Sequence, residues 1–357
     1  MNQKYDAILI VSFGGPERKE DVMPFLDNVL RGKNVPLERK REVAHHYERF
    51  DGVSPINEQN RNLIKALRVE LKDHGIDLPI YWGNRNWHPL LVDTIKKMKK
   101  DQIKRVLAFC TSAYSSYSGC RQYRENIEDA REKAGERAPV VDKIRVFYNH
   151  PGFIKANCDS IEKARGKIPE TRRQHAQLVF TAHSIPLGMA KHCAYEKQLK
   201  ETCHLVAADL QHTNWCLVYQ SRSGPPTQAW LGPDICDELL SLKNQGVVNV
   251  IVSPIGFISD HLEILYDLDT EAHETCKKFG LHMVRAETAG THPSFISMIR
   301  ELIEERTVEQ TLRRYQGKQG PWHDSCPEKC CRPLNENRLN VDSVSPEPKH
   351  VTKVRPC

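Results

Sequence analysis

Two short polar islands carry residues suited to metal and proton chemistry. One is Phe180-Thr181-Ala182-His183-Ser184-Ile185-Pro186, the other Ser259-Asp260-His261-Leu262-Glu263. Each follows an apolar, strand-like run, Gln177 to Phe180 in the first case and Val247 to Pro254 in the second. Parallel α/β sheets place their working residues at the carboxyl ends of strands, where loops line a crevice. A neutral imidazole there accepts a proton or binds a metal near neutral pH, and a carboxylate adds an oxygen ligand. His183 and Glu263 are the candidates for that pair. Asp267 and Glu271 follow Glu263 at four-residue intervals, which lines three carboxylates along one helix face. Like charges at this spacing repel, so the face is either plainly solvated or a ladder of oxygens guiding a divalent cation inward.

Such a pair needs a scaffold that gathers strand ends. Apolar runs of strand length alternate with helical repeats along the chain. Ala7 to Val11, Pro79 to Trp82, Arg105 to Cys110, Arg145 to Tyr148, Gln177 to Phe180, Trp215 to Tyr219 and Val247 to Ser253 are the expected strands. Expected helices include Glu20 to Arg31, Asn60 to Lys72, Leu262 to Phe279 and Pro293 to Arg313. This alternation predicts an α/β protein of parallel sheets wrapped by helices, in two Rossmann-like halves with a seam near residue 140. The expected division is 1–140, 141–316, with the last helix free to pack back on the first lobe, and a tail, 317–357. From about Leu334 the Pro, Asn, Asp, Ser and Lys texture reads as disorder.

At 357 residues the chain suits two domains. No run approaches the roughly 18 uncharged residues of a membrane helix, and no signal-peptide pattern opens the chain, so a cytoplasmic protein is expected. The net charge of +6 is modest, and no basic block is interleaved with aromatics as in a nucleic-acid surface. Basic residues do cluster at Arg31-Gly32-Lys33 and Arg39-Lys40-Arg41, either as a solvated face or as a lip that attracts an anion. Gly14-Gly15-Pro16 follows the first strand without a G-x-G-x-x-G or P-loop pattern, which argues against a dinucleotide enzyme. Twelve cysteines without a secretory signal do not suggest a disulfide framework. Cys326, Cys330 and Cys331 gather near the end, with Cys357 at the terminus.

The strings FTAHSIP, YQSRSGPPTQAWLGP and SPIGFISDHLEILYDLD resemble the signature segments of ferrochelatases, as do Val11 to Pro16 and Gly52 to Pro55. The resemblance runs from about residue 5 to residue 310, with its motifs in the family's order. It implies two chelatase-type lobes with a porphyrin cleft between them, and insertion of Fe(II), as substrate, into the ring with release of two protons. His183 and Glu263 then face each other across the macrocycle, with Asp260 and His261 supporting them. Asp267 and Glu271 match the family's proposed iron path. By position, substrate contacts map onto Ser54 and Tyr123, then Arg31, His46 and Tyr47. Phe13 stands near the metal face, where some relatives carry Tyr or Met, and cannot ligate iron.

The charged segment Arg31 to Arg49 favours coproporphyrin III, with four propionates, over protoporphyrin IX, whose membrane-associated enzymes have an apolar lip. A cobalt or nickel tetrapyrrole chelatase and a non-catalytic haem binder are the more distant alternatives. Some family members hold a [2Fe–2S] cluster on one upstream and three C-terminal cysteines. Cys158, Cys326, Cys330 and Cys331 are the residues this implies, with Cys357 as a substitute. Porphyrin and ferrous iron are the expected partners of a monomeric enzyme.

Overall fold

The computed structural model of the protein describes residues 5–33, 35–225, 227–327 and 329–334. The tail expected from Leu334 onward therefore lies outside the described residues apart from Leu334 itself, as does Cys357. The first lobe runs β1 (Ala7–Ser12), α1 (Val22–Val29), α2 (Leu37–Glu48), α3 (Ile56–Asp73), β2 (Ile80–Asn84) and α4 (Leu91–Lys100). It continues through β3 (Arg105–Cys110), α5 (Gln122–Ala134) and β4 (Val140–Lys143). The second lobe begins with α6 (Pro151–Arg165), α7 (Glu170–Arg173), β5 (Gln177–His183), α8 (Leu187–Ala190) and α9 (Tyr195–Asp209). Then come β6 (Trp215–Gln220), α10 (Ile235–Asn244), β7 (Asn249–Ser253), α11 (Leu262–Tyr266), α12 (His273–Phe279), β8 (His282–Arg285) and α13 (Pro293–Thr307).

Each lobe is a four-stranded parallel sheet, ordered β2-β1-β3-β4 in one and β6-β5-β7-β8 in the other. Helices cover both faces, which is why central strands such as Ala7–Ser12 are buried at every position and read as unbroken apolar runs. In the second sheet the register pairs Phe180 with Ser253 and His183 with Gln220, so the ends of β5, β6 and β7 open onto one rim. Among the described residues, no helix is long and apolar enough to cross a membrane.

The lobes share a core. Phe109 and Phe147 stack at 5.1 Å between centroids, and Phe153 and Phe295 close against Phe147 at 5.8 and 5.9 Å. Helix α13 lies against both α3 and α6, tied to α3 by Arg300 Nε donating to Glu70 Oε1 at 2.9 Å.

Three expectations change, and two elements appear that the sequence does not predict. The run Arg145 to Tyr148 is buried but is not a strand; the ladder partner of β3 is Val140–Lys143. Residues 145–148 instead cross beneath α13, where the Arg145 guanidinium grips Glu305 with two bonds of 2.8 Å. The helix expected from Leu262 to Phe279 is interrupted by a π-helical segment, Asp267–Ala272. The last helix stops at Thr307. Helix α2 and strand β8 lack a readable period: α2 buries only Ala44 and Tyr47, and β8 is a four-residue edge.

Candidate active site

His183 is the last residue of β5, with Pro186 soon after to turn the chain away from the sheet. Its backbone position is fixed from two sides. Tyr195 Oη donates to the His183 carbonyl at 3.0 Å. Beneath, Gly256 approaches so closely that a Cβ there would meet Ala182 Cβ at 2.6 Å, so the loop after β7 can lie against the end of β5 only with glycine at this point. His183 Nδ1 lies 2.5 Å from the Ser184 carbonyl, which assigns Nδ1 as donor and leaves Nε2 facing Glu263 Oε1 at 3.7 Å. The other carboxylate oxygen of Glu263 lies 2.8 Å from His261 Nε2. Glu263 thus sits between two imidazoles in the first turn of α11.

Electrostatics sharpen the pair. Burial by itself lowers the proton affinity of His183, but the charge and hydrogen bond of Glu263 outweigh it and hold the imidazole up at about 9. Burial likewise acts to raise the Glu263 carboxyl, and His183 and His261 override it, keeping it well below the usual carboxylate range. The substrate-free site is therefore an imidazolium–carboxylate pair at neutral pH, whereas the sequence suggested a neutral His183 ready to accept. The difference comes from the charge beside it.

Asp267, one turn further on, accepts from Gln220 Nε2 at 3.2 Å and from the Ser221 hydroxyl. Ser221 holds φ at +61°, an uncommon conformation for serine that aims its hydroxyl inward. Burial first, then the charges of Glu263 and Glu271, push Asp267 up to about 6. Burial also raises Glu271, which Tyr266 partly offsets with a hydrogen bond. The half-buried Glu263 and Asp267 lead out to an exposed Glu271, three carboxylates whose mutual repulsion a cation would relieve.

The opposite wall comes from the first lobe. Leu262 packs with Val22, Phe25 and Tyr47, and Phe13 lies against the same cluster. Phe13 meets Phe25 edge-on at 6.2 Å. Tyr47 is buried beside Glu263, and both burial and that charge raise its phenol far above the ordinary value. The His46 ring stacks on Tyr266 at 3.8 Å and 8°, and the Arg49 guanidinium lies 5.7 Å from the same ring. Ser54 and Tyr123, at 4 % exposure each, do not open onto the cleft in this state. Tyr123 packs under Arg85, 4.5 Å from its ring. Arg31 is exposed and bound to Asn28 Oδ1 at 2.6 Å.

Asp260 joins the site through Arg285, a residue without a sequence signal. Arg285 donates to both Asp260 oxygens at 3.2 Å and to Asp269 at 2.6 and 2.9 Å. One guanidinium thereby ties the loop that leads to Glu263 to the π-helical segment bearing Asp267. Arg285→Met is expected to raise the KM for ferrous iron about 10-fold, in the range for outer partners of a metal site, with the KM for porphyrin unchanged. Equal KM values for wild type and variant would refute this coupling.

The cysteines gather differently from expectation. Cys158 lies in α6 with its thiol 3.8 Å from the Val206 carbonyl, burial pushes it up to about 12, and it does not line the cavity where the C-terminal cysteines gather. Cys120 takes its place. It stands on a π-helical turn, Tyr117–Arg121, and lines one small cavity with Cys326, Cys330, Cys331, Arg121, Arg124 and Lys143. The Cys330 and Cys331 sulfurs are 3.5 Å apart, and the ligand atoms of His323, Cys326 and Cys330 lie within 4.8 Å of one another. Proximity of Cys120 to this group depends on how two remote segments fold together, which spacing along the chain does not encode.

Two parallel four-stranded lobes with an imidazole and a carboxylate at neighbouring strand ends have the architecture of a chelatase. The solved structure of SirB from Bacillus subtilis with Fe3+ shares the fold, with a TM-score of 0.53 at 10 % identity over 88 % of this chain and all of that one. The sequence model of the ferrochelatase family matches residues 5–307. A ferrochelatase of Rhodopirellula baltica is 56 % identical over 328 residues, covering 92 % of this chain and 93 % of the relative. A coproporphyrin III ferrochelatase of Streptomyces griseus is 47 % identical over 349 residues, again covering 92 % and 93 %. The chain belongs to the ferrochelatase family. It is an enzyme that inserts iron into a porphyrin, a lyase forming nitrogen–metal bonds.

Proposed function

We propose that this enzyme inserts Fe(II) into coproporphyrin III, with His183 and Glu263 as its catalytic pair. The observation that carries the reading is the contact of Nε2 with Oε1 at 3.7 Å, backed by Asp267 and Glu271. Ferrous iron is drawn toward the carboxylates and takes Glu263 away from His183. Without that anion the imidazolium gives up its proton, and the neutral ring then accepts protons from the pyrrole nitrogens. Asp267, held near 6, exchanges protons with solvent in the physiological range and is suited to pass them outward. A flat macrocycle hides its nitrogens, so the cleft walls, with Phe13 and Tyr47 on one side and Leu262 and His183 on the other, use peripheral binding energy to bend it.

Coproporphyrin is favoured by the relatives that carry its name at 45–47 % identity and by the polar lip. The lip helix α2 exposes Lys, Arg and Glu along most of its length, chemistry that suits extra carboxylates rather than an apolar membrane edge. Arg31 and His46 at this lip are the propionate partners most open to solvent, while Ser54 and Tyr123 would take part after local opening. Parallel anaerobic turnover on the two porphyrins tests the choice. Higher kcat/KM on coproporphyrin III is expected; a clear preference for protoporphyrin IX refutes it. Cytoplasmic residence and a monomeric state belong to the same reading.

A [2Fe–2S] cluster is part of the proposal, with its ligands revised. Cys120, Cys326, Cys330 and Cys331 supply four sulfurs around one cavity, the donor number such a cluster takes. Bound there, it would supply one-electron redox chemistry. The residues themselves join the first lobe to the C-terminal segment, which is also anchored by Trp322 edge-on to Tyr148 at 6.2 Å.

A further inference from the structure

One residue of the cysteine cavity is explained neither by iron insertion nor by the thiol count. Lys143 ends β4, the outer strand of the first sheet, and lines the cavity together with Cys120, Cys326, Cys330 and Cys331. Its ammonium donates to the Ile144 carbonyl at 3.3 Å, and among the described residues no carboxylate pairs with it. Arg121 and Arg124 line the same cavity; Arg121 is already engaged by Glu125 at 2.8 Å, which leaves Lys143 and Arg124 as the cations facing the thiols. A cation drawn out of water without a counter-charge is costly, so its position needs an anion. The thiols are the groups present.

We propose that Lys143 is a positioning residue for the metal centre held by these cysteines, a fixed positive charge that stabilises the thiolates and favours the reduced form of a bound [2Fe–2S] cluster. A cluster on four thiolates is anionic and becomes more so on reduction, so a neighbouring cation raises its potential. The inference rests on the cluster reading above.

The test compares full-length wild type, Lys143→Met and Lys143→Arg, purified anaerobically. Iron, acid-labile sulfide, visible and EPR spectra and midpoint potential are measured on each. Wild type and Lys143→Arg should match. Lys143→Met should show the same spectral type with its reduced-to-oxidised ratio about tenfold lower at a given applied potential, ~59 mV for a one-electron couple. Loss of the cluster in Lys143→Met but not in Lys143→Arg also supports a charge role. An unchanged potential in Lys143→Met, or loss in both variants, overturns the inference while leaving the cluster. Wild type without iron or sulfide overturns the cluster reading itself, and the lysine's role with it.

Discussion

Glu263→Gln is expected to slow iron insertion by about 10²–10⁴-fold, the span contributed by a positioned acid–base group, while porphyrin affinity is unchanged. The amide keeps the shape of the side chain and removes its charge, and charge is what sets the state of His183. In the wild type the imidazole is held at about 9 against burial, which pulls the other way. Below that pH the free imidazole is protonated and must lose that proton as iron takes Glu263, so kcat/KM for iron should climb with pH toward about 9. In the variant only the Ser184 carbonyl and the charge of Asp267 still oppose burial, so the ring titrates well below its wild-type value. NMR titration of His183 in the two substrate-free proteins measures this. A Gln variant whose imidazole still titrates near the wild-type value would mean that Glu263 does not control it.

Arg145→Met is expected to destabilise the protein by about 3–5 kcal/mol, as removal of one member of a buried ion pair does. The side chains of Arg145 and Glu305 are 0 % and 2 % exposed. Arg145 also donates to the Arg314 carbonyl at 2.8 Å, pinning the segment that follows α13. Among the described residues, the substitution leaves Glu305 with the more distant Arg313, at 3.5 Å. Urea denaturation should show the loss as a lower midpoint. Arg145→Met combined with Glu305→Leu should recover most of it, because well-packed apolar replacements of a buried pair are often neutral. A double variant as unstable as the single one would refute the pairing.

The sequence predicts the sheet scaffold well where burial is two-sided. Ala7–Ser12 and Asn249–Ser253 are buried throughout and stand out as apolar runs. The same rule misassigns residues 145–148, because a run buried between lobes and a run buried within a sheet look alike in one dimension. His183 and Glu263 were legible for a local reason, each being a polar residue just past an apolar strand. Tyr266 and Arg285 were not. Their roles depend on partners far along the chain, His46 on the facing lobe and Asp260 across the sheet rim. Cys120 and Cys158 had the same chemistry and comparable burial; only the fold determines which of them meets Cys326. The π-helical segment likewise follows from tertiary placement, since Asp267–Ala272 has no breaker in its sequence.

Metal insertion by the His183–Glu263 pair comes down to one assay. Anaerobic Fe(II) insertion into coproporphyrin III, followed as the loss of free-porphyrin fluorescence, tests it with wild type beside His183→Ala. Rapid loss is expected with wild type and a rate at least about 10²-fold lower with the variant, although both bind the porphyrin. Insertion by His183→Ala at the wild-type rate would contradict it.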